Sequence, residues 1–279
     1  MSATNRVLAG PSGDCCFTGF RHEGTPIGNK ITIANVPTYF VEGSSSKGDS
    51  EAKRRILIFL ADVYGPFYQN NMLLQDFLAQ NGFTVLGIDY FMGDPVHLHD
   101  NEQGFDRSKW MEKSHDSARE VLPKWWEAVT AKYGKEKLNI AGRAQSSNEL
   151  VSMHTGYCFG ARYTMQLSDD DAIVAAALAH PAFLNEEHFR NIKKPLMLSC
   201  AETDHTFPLQ SRRIAEDILV ERKAQYFFQV FSGVAHGFAS RSDPSSPDGR
   251  WGKEQSAHGI ALWFHRFIDE SFQSGRKEI

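Results

Sequence analysis

The sequence Gly-Tyr-Cys-Phe-Gly-Ala at residues 156–161 has the composition of a turn that presents a nucleophile. It lies between a short run with strand character, residues 150–153, and a segment with helical spacing, residues 161–167. In a Gly-x-nucleophile-x-Gly sequence at a strand-to-helix junction, the glycines make a sharp turn possible, and the turn lifts the central side chain above the sheet. The positive end of the following helix favours thiolate, the form that attacks carbonyl carbons. On this sequence alone, Cys158 is as compatible with a small buried hydrophobic side chain as with a nucleophile, and the residues that follow decide between the two.

Two further groups with suitable chemistry each follow a predicted strand. Asp204 comes after the apolar run 195–201, and His236 comes after the β-rich run 226–231. In an open parallel sheet, functional groups collect at the carboxyl ends of the strands. Histidine accepts and returns a proton near neutral pH, and an aspartate fixes the imidazole tautomer and stabilises its cation. Each residue alone is a weak signal, but their joint positions predict a catalytic triad with Cys158.

The elements that must position this triad alternate along the chain. Continuous apolar runs are typical of strands buried on both faces of a parallel sheet, and amphipathic segments lie between them. The predicted strands are residues 31–41, 55–61, 83–89, 137–141, 173–179, 195–201 and 226–231, and the predicted helices are residues 73–80, 114–132, 161–167, 211–223 and 254–272. This alternation predicts a three-layer α/β/α sandwich with a mostly parallel, doubly wound sheet. One domain is expected over residues 29–274, after an irregular arm at residues 1–28.

The composition narrows the function classes. The chain has 279 residues, and 30 Lys plus Arg against 34 Asp plus Glu give a net charge of -4. Without a basic face or an apolar run of about 18 residues, nucleic acids and membranes are not expected partners. Because no signal sequence is evident and the four cysteines lack Cys-x-x-Cys spacing, we expect a reduced, cytoplasmic protein without a metal site. His97 and His99, in the polar loop 90–108, are interpreted as solvated.

Several motifs follow one another in a fixed order. They are Cys15-Cys16 followed by His22-Glu-Gly-Thr-Pro, Asp62-Val-Tyr-Gly, the turn at 156–161, His180-Pro181, Ala201-Glu-Thr-Asp with Phe207-Pro208, and Ser232-Gly-Val-Ala-His-Gly-Phe. Together they resemble the dienelactone hydrolase family, in particular its fungal branch, over nearly the whole chain. The resemblance implies an α/β-hydrolase fold, with nucleophile, acid and histidine in that chain order. It also implies cleavage of a small-molecule ester or lactone by the triad without a cofactor. We expect a monomer or a weak homodimer.

The resemblance implies further site residues. The backbone amides of Val63 and Phe159 would form the oxyanion hole, which stabilises a developing alkoxide. Asp62 stands where bacterial members carry a glutamate that interacts with the resting thiol. Arg241 is the candidate contact for a substrate carboxylate, because arginine pairs bidentately with carboxylates; the bacterial family places its arginine one residue earlier. The side chains expected to line the pocket are Tyr64, Phe91, Trp110 and Phe238.

The family pattern is interrupted just before the nucleophile. The strand at 137–141 is expected to run straight into Gly156, but fourteen mostly polar residues, 142–155, intervene. The segment is a translated intron, a loop beside the turn, or the central strand itself, with residues 150–154 replacing 138–141. Because a polar insertion in a buried parallel strand leaves backbone groups unsatisfied, the first two interpretations are favoured.

Three functions are compatible with these residues. The first is a cysteine-dependent carboxylic ester hydrolase that cleaves an ester or lactone through an acyl-enzyme. The second is a biosynthetic relative that opens or closes a lactone, or isomerises a polyketide-like intermediate, and access of water to the acyl-enzyme would distinguish it from the first. The third is a catalytically inactive ligand-binding or scaffold homologue. Reaction of Cys158 with a thiol-directed probe at mildly acidic pH would argue against the third.

Overall fold

The computed structural model describes residues 5–44, 55–135 and 151–274. Its strands are β1 (Val7–Ala9), β2 (Asn29–Ile33), β3 (Val36–Val41), β4 (Arg55–Leu60), β5 (Thr84–Ile88), β6 (Val151–Tyr157), β7 (Ile173–Ala179), β8 (Leu184–Asn185), β9 (Leu196–Thr203) and β10 (Tyr226–Ala235). Its α-helices are α1 (Gln69–Gln80), α2 (Arg107–Lys135), α3 (Gly160–Leu167), α4 (Glu186–Asn191), α5 (Leu209–Glu221), α6 (Phe238–Arg241) and α7 (Pro247–Ser274). Short 3-10 helices lie at Asp14–Phe17 and Val96–His99.

Eight strands form one sheet in the order β10-β9-β7-β6-β4-β5-β3-β2. β3 pairs antiparallel with both β2 and β5, and every other neighbouring pair is parallel. β1 and β8 form a separate antiparallel pair. The alternation of strands and helices in the sequence therefore gives the mostly parallel, doubly wound sheet that it predicts.

Helices cover both faces of this sheet. The side chains of β4 pack against the helices on both faces. Its side chains are almost all buried, and successive ones point to opposite faces. Leu57 and Phe59 pack in a core with residues of α1 and α7, whereas Ile56 and Ile58 pack in a core with residues of α2. A third core lies against α3, α4 and α5. Each fully buried side chain of this kind contributes about 1.5–3 kcal/mol to stability, so the three layers are held by the strands between them.

Most of the predicted elements within the described residues are confirmed, with boundaries that differ by a few residues. The run 31–41, whose Pro37 suggests an edge or hairpin position, forms a hairpin of β2 and β3. Ala34 and Asn35 have positive φ angles of 48° and 63°, the conformation that a tight hairpin turn requires. Helix α2 begins before its predicted start, at Arg107, and continues through Pro123.

The central strand differs most from the prediction. Residues 151–155 of the presumed insertion form the first part of β6, between β4 and β7. The interpretation as a loop beside the turn is wrong for these five residues, and their interpretation as part of the central strand agrees with the structure. Met153 pairs with Leu57 on one side and with Ala175 on the other, so this part of the backbone has ladder partners on both sides. The predicted strand 137–141 and residues 142–150 lie outside the described residues.

The polar residues of β6 destabilise the protein through a buried side chain rather than through the backbone. His154 is fully buried, and neither of its ring nitrogens has a hydrogen-bond partner within the part of the chain that the structure describes. Its ring packs edge-on against Trp126, with the centroids 4.9 Å apart. Burial lowers the pKa of His154 to about 3. The imidazole is therefore neutral at physiological pH, because an unpaired buried charge costs far more than a buried neutral ring.

Candidate active site

Cys158 lies in a tight turn at the carboxyl end of β6. Its φ angle of 47° is in the left-handed region, which residues other than glycine rarely adopt. Helix α3 begins at Gly160, where an added Cβ atom would overlap the backbone carbonyl of Leu60 at the end of β4. A Cβ atom at Gly156 would overlap the hydroxyl of Thr164 in α3. The two glycines therefore let the turn pack between β4 and α3.

Asp204 and His236 follow the neighbouring strands β9 and β10 and form a buried hydrogen-bonded pair. Nδ1 of His236 lies 3.0 Å from each carboxylate oxygen of Asp204. One of these oxygens also accepts hydrogen bonds from the Thr206 hydroxyl at 2.7 Å and from the Thr206 and Phe207 amides at 2.8 and 3.2 Å. Burial disfavours the charged carboxylate, but the bonds from His236 and Thr206 outweigh it and lower the pKa of Asp204. Burial likewise opposes the imidazolium, yet Asp204 and the nearby Cys16 thiol raise the pKa of His236 to about 9.

The side chains of Cys16, Cys158 and His236 meet at this end of the sheet. One sulfur or nitrogen atom of each lies within 4.8 Å of the other two, and the two Sγ atoms are 3.7 Å apart. Nε2 of His236 has no hydrogen-bond partner among the described residues. The structure thus brings the predicted triad residues Cys158, Asp204 and His236 together, but the Cys158 thiol makes no hydrogen bond to the imidazole of His236.

Burial also sets the protonation of Cys158. The thiol is fully buried, and this burial, followed by the hydrogen bond with Cys16, raises its pKa well above the usual value against the opposing charge of Arg241. The positive end of α3 therefore does not make Cys158 a thiolate in this arrangement, because burial outweighs it. Cys158 is a neutral thiol while it is covered.

The segment that covers Cys158 comes from the N-terminal arm. The 3-10 helix Asp14–Phe17 places Cys16 against Cys158, with the two Sγ atoms 3.7 Å apart, and the hydroxyl of Ser12 lies 3.9 Å from Cys158 Sγ. Arg241 donates hydrogen bonds to the carbonyls of Cys16 and Thr18 at 3.3 and 3.2 Å. The arm is thus attached to residues of the site, and a substrate can reach the sulfur only if these contacts move.

Asp62 and Arg241 form a buried ion pair beneath the arm. Asp62 also accepts hydrogen bonds from the Ser240 hydroxyl at 2.7 Å, the Asn71 amide at 3.0 Å and the Tyr64 backbone at 3.0 Å. The guanidinium lies over the Tyr64 ring, 4.7 Å from its centroid. The structure therefore joins two of the predicted site residues to each other, and a substrate carboxylate would have to compete with Asp62 for Arg241.

The two amides predicted for the oxyanion hole follow adjacent strands. Val63 comes just after β4 and Phe159 just after β6, and these strands pair through Leu60 and Gly156 at their carboxyl ends. Both residues are fully buried. The side chain of Phe159 is held by the ring of His115, with the centroids 4.5 Å apart.

The predicted pocket aromatics lie on two sides of the turn. Phe91 packs on Phe159, at 5.1 Å between centroids, and Trp110 stacks on Phe91 at 5.5 Å. Phe238 lies on the other side, and its ring is 6.0 Å from that of His180. An open cleft of about 350 Å³ reaches the site beside His236. Its lining includes Thr18, Phe20, His236, Phe238 and Arg241.

Comparison with known proteins identifies the family. The sequence profile described as "Dienelactone hydrolase family" matches residues 43–267. The chain belongs to this family. Within the described residues, no helix has both the length and the apolar character needed to cross a membrane.

Relatives in the dienelactone hydrolase family match nearly the whole chain. "Dienlactone hydrolase 1" of Gibberella moniliformis is 35% identical over 263 residues, which are 92% of this chain and 94% of that protein. "Hydrolase tropI" of Talaromyces stipitatus is 29% identical over 270 residues, covering 93% and 98% of the two chains. The crystal structure of a putative dienelactone hydrolase from Klebsiella pneumoniae superposes with a TM-score of 0.67 at 16% identity, over 88% of this chain and 100% of that chain. That likeness shows the α/β-hydrolase fold.

Two residues that the sequence reasoning did not assign to the site lie against it. Cys16 touches the nucleophile, and His180 places its ring 4.9 Å from the ring of His236. Burial, followed by the charge of His236, lowers the pKa of His180 well below the usual value, so this ring is neutral. Both residues belong to the motifs that carry the family resemblance. Their presence in these motifs could have indicated that they belong to the site, but the sequence did not show which residues they contact.

Proposed function

We propose that this member of the dienelactone hydrolase family is a cysteine-dependent hydrolase that cleaves an ester or lactone through an acyl-enzyme. The observation that carries the proposal is the buried Asp204–His236 pair beside Cys158, with His236 Nδ1 bound and Nε2 without a partner in the described chain. In its neutral form, an imidazole oriented by a carboxylate on one nitrogen accepts a proton on the other.

The reaction begins when the arm moves away from Cys158. Neutral His236 takes the proton of the thiol on Nε2 while Sγ forms a bond to the substrate carbonyl carbon. The carbonyl oxygen becomes an alkoxide, which the amides of Val63 and Phe159 stabilise. His236 then gives its proton to the leaving oxygen as the carbon–oxygen bond breaks. In a lactone, this oxygen remains attached to the acyl group.

Hydrolysis of the thioester reverses the roles of the same groups. His236 takes a proton from water, the hydroxide forms a bond to the acyl carbon, and the carbon–sulfur bond breaks. The proton returns to Sγ, so the enzyme is regenerated and one water is consumed for each ester. Asp204 keeps its charge throughout and stabilises the imidazolium.

The test is turnover of a panel of chromogenic esters and lactones by the wild type, Cys158→Ala and Cys200→Ser. Cys200 is a buried thiol in β9 that serves as the matched control. We expect Cys158→Ala to lose at least about a thousandfold of kcat/KM and Cys200→Ser to stay within about threefold of the wild type. Equal turnover by wild type and Cys158→Ala would refute the cysteine mechanism.

Two further readouts separate this proposal from other functions. Rapid quenching followed by mass spectrometry should find one acyl group on the peptide that contains Cys158. Reaction in ¹⁸O-labelled water should place one labelled oxygen in the acid product. An acylated cysteine whose product carries no label would instead indicate lactone exchange or isomerisation.

A further inference from the structure

Cys16, Cys158 and His236 together make the donor set of a zinc site. All three side chains are buried, and one sulfur or nitrogen atom of each lies within 4.8 Å of the other two. Two thiols and an imidazole are ligands that Zn²⁺ and related thiophilic cations prefer. The proposed hydrolysis uses Cys158 and His236 but gives the Cys16 thiol no chemical step. Its position therefore calls for another explanation.

The spacing of the sulfur atoms matches tetrahedral coordination. With zinc–sulfur bonds of about 2.3 Å and zinc–nitrogen bonds of about 2.0 Å, the sulfur–sulfur edge of a tetrahedron is about 3.8 Å and the sulfur–nitrogen edge about 3.5 Å. The Sγ atoms of Cys16 and Cys158 are 3.7 Å apart. A bound ion therefore needs almost no movement of the two thiols, and a movement of about 1.3 Å at most brings the imidazole within reach.

His236 supplies an independent observation, because its ring is oriented as a ligand. Nδ1 is held by Asp204 at 3.0 Å, so Nε2 is the ring nitrogen that a cation would bind. This Nε2 atom is buried and has no hydrogen-bond partner in residues 5–44, 55–135 or 151–274. A carboxylate bound to the far nitrogen of a ligating imidazole is the usual arrangement in zinc proteins.

We propose that Cys16, Cys158 and His236 bind one thiophilic divalent cation, with Zn²⁺ as the type, and that the bound cation blocks the hydrolase. Two sulfur–metal bonds and one nitrogen–metal bond form, and the two thiol protons leave to solvent together with the Nε2 proton of the imidazole where the ring is protonated. The two thiolates balance the charge of the ion. The nucleophilic sulfur and the basic nitrogen are both occupied, so neither acts on an ester. The ion reaches the two sulfurs, as a substrate does, when the arm contacts move, and an open cleft lies beside His236. The inhibition rests on the proposed function, whereas the binding does not.

The experiment titrates the reduced, chelator-treated full chain with Cd²⁺ and Zn²⁺. Cd²⁺ reports on its ligands through thiolate-to-metal charge-transfer absorption in the ultraviolet, and Zn²⁺ stoichiometry is measured by equilibrium dialysis. We expect one ion per chain and a charge-transfer intensity that falls to about half in Cys16→Ser. Zinc affinity should fall at least about tenfold in Cys16→Ser and in His236→Gln. Cys200→Ser should match the wild type in all readouts.

Inhibition is measured on the same samples. Zn²⁺ should abolish ester turnover at one equivalent, and a chelator should restore it. Cys16→Ala provides a second variant if Cys16→Ser does not fold, as judged by circular dichroism. Absence of stoichiometric binding, or an unchanged Cd²⁺ spectrum in both Cys16 variants, would overturn the proposed site. Stoichiometric binding with full turnover would overturn the block. If the chain turns over no ester, the Cd²⁺ spectra still decide the site, so failure of the hydrolase proposal is distinguishable from failure of this one.

Discussion

Replacing Asp204 with asparagine tests the proton chemistry of the site. Although burial opposes the imidazolium, Asp204 and Cys16 raise the pKa of His236 to about 9. At pH 7, about 1% of the imidazole is then in the neutral form that accepts a proton. Asparagine keeps the shape of the side chain but removes its charge. The pKa of His236 should therefore fall to its ordinary value of 6.5 or below, and about three quarters or more of the ring should be neutral at pH 7.

The two proteins should consequently have different pH profiles. For the wild type, kcat/KM should rise about tenfold for each pH unit between 7 and 8.5 and level off near pH 9. For Asp204→Asn, the profile should be nearly flat above pH 7. Its plateau should be lower by about 10³–10⁴-fold, because a carboxamide does not fix the productive tautomer, as the same replacement shows in a serine protease.

The assay is hydrolysis of a chromogenic ester over pH 6–10, with thermal unfolding as a check on folding. Asp169→Asn is the matched control, because Asp169 pairs with Lys193 at the surface and does not line the cleft beside His236. A wild-type profile that is flat between pH 7 and 9 would refute the role assigned to His236. An Asp204→Asn profile with an unchanged apparent pKa would refute the role assigned to the carboxylate.

Three other replacements test the packing around the site. His154→Leu should raise the free energy of unfolding in urea by about 1–3 kcal/mol, because it removes buried unpartnered nitrogens. The pKa of His154 in the folded protein is lowered to about 3, so the wild type should lose about 2 kcal/mol of stability between pH 6.5 and pH 5, and the variant should lack this loss. Gly160→Ala should destabilise by about 3 kcal/mol, whereas Gly10→Ala, whose methyl meets only a carbonyl at 3.8 Å, should be nearly neutral. Arg241→Ala should cost about 3–5 kcal/mol by leaving the Asp62 carboxylate unpaired, and it should speed alkylation of the nucleophilic thiol by releasing the arm; unchanged alkylation would contradict that attachment.

The layers of the fold were predictable because they depend on local patterns. The apolar run of β4 and the run 173–179 of β7 each predict a strand buried on both faces, and both are found. The turn at Cys158 was equally predictable, since Gly160 is required by a backbone contact that any side chain would break. In such cases, the residue types alone determine the local structure.

The central strand and the covering of the nucleophile were not predictable in the same way. From the sequence, the polar residues of β6 were expected to leave backbone groups of this strand without hydrogen bonds. The backbone instead pairs with β4 and β7, and the unsatisfied groups are the ring nitrogens of His154. The contact between Cys16 and Cys158 joins residues 142 positions apart. No periodicity reports a contact of that range, because it depends on how an irregular arm returns over the sheet.

The protonation of Cys158 follows from two effects of unequal size. The positive end of a helix stabilises an anion by about 0.3–1 kcal/mol, and up to about 2 kcal/mol in buried geometries. Full burial of an ionisable group shifts its pKa by up to about 3–5 units, which corresponds to about 4–7 kcal/mol. The effect of burial on the pKa of Cys158 is therefore larger than the effect of α3, as long as Cys16 in the arm keeps water from the sulfur. Displacement of the arm removes the larger effect and leaves the smaller one, so the movement that admits a substrate also brings Cys158 closer to thiolate. In the proposed mechanism, the reactivity of the nucleophile is controlled by the arm rather than by the helix.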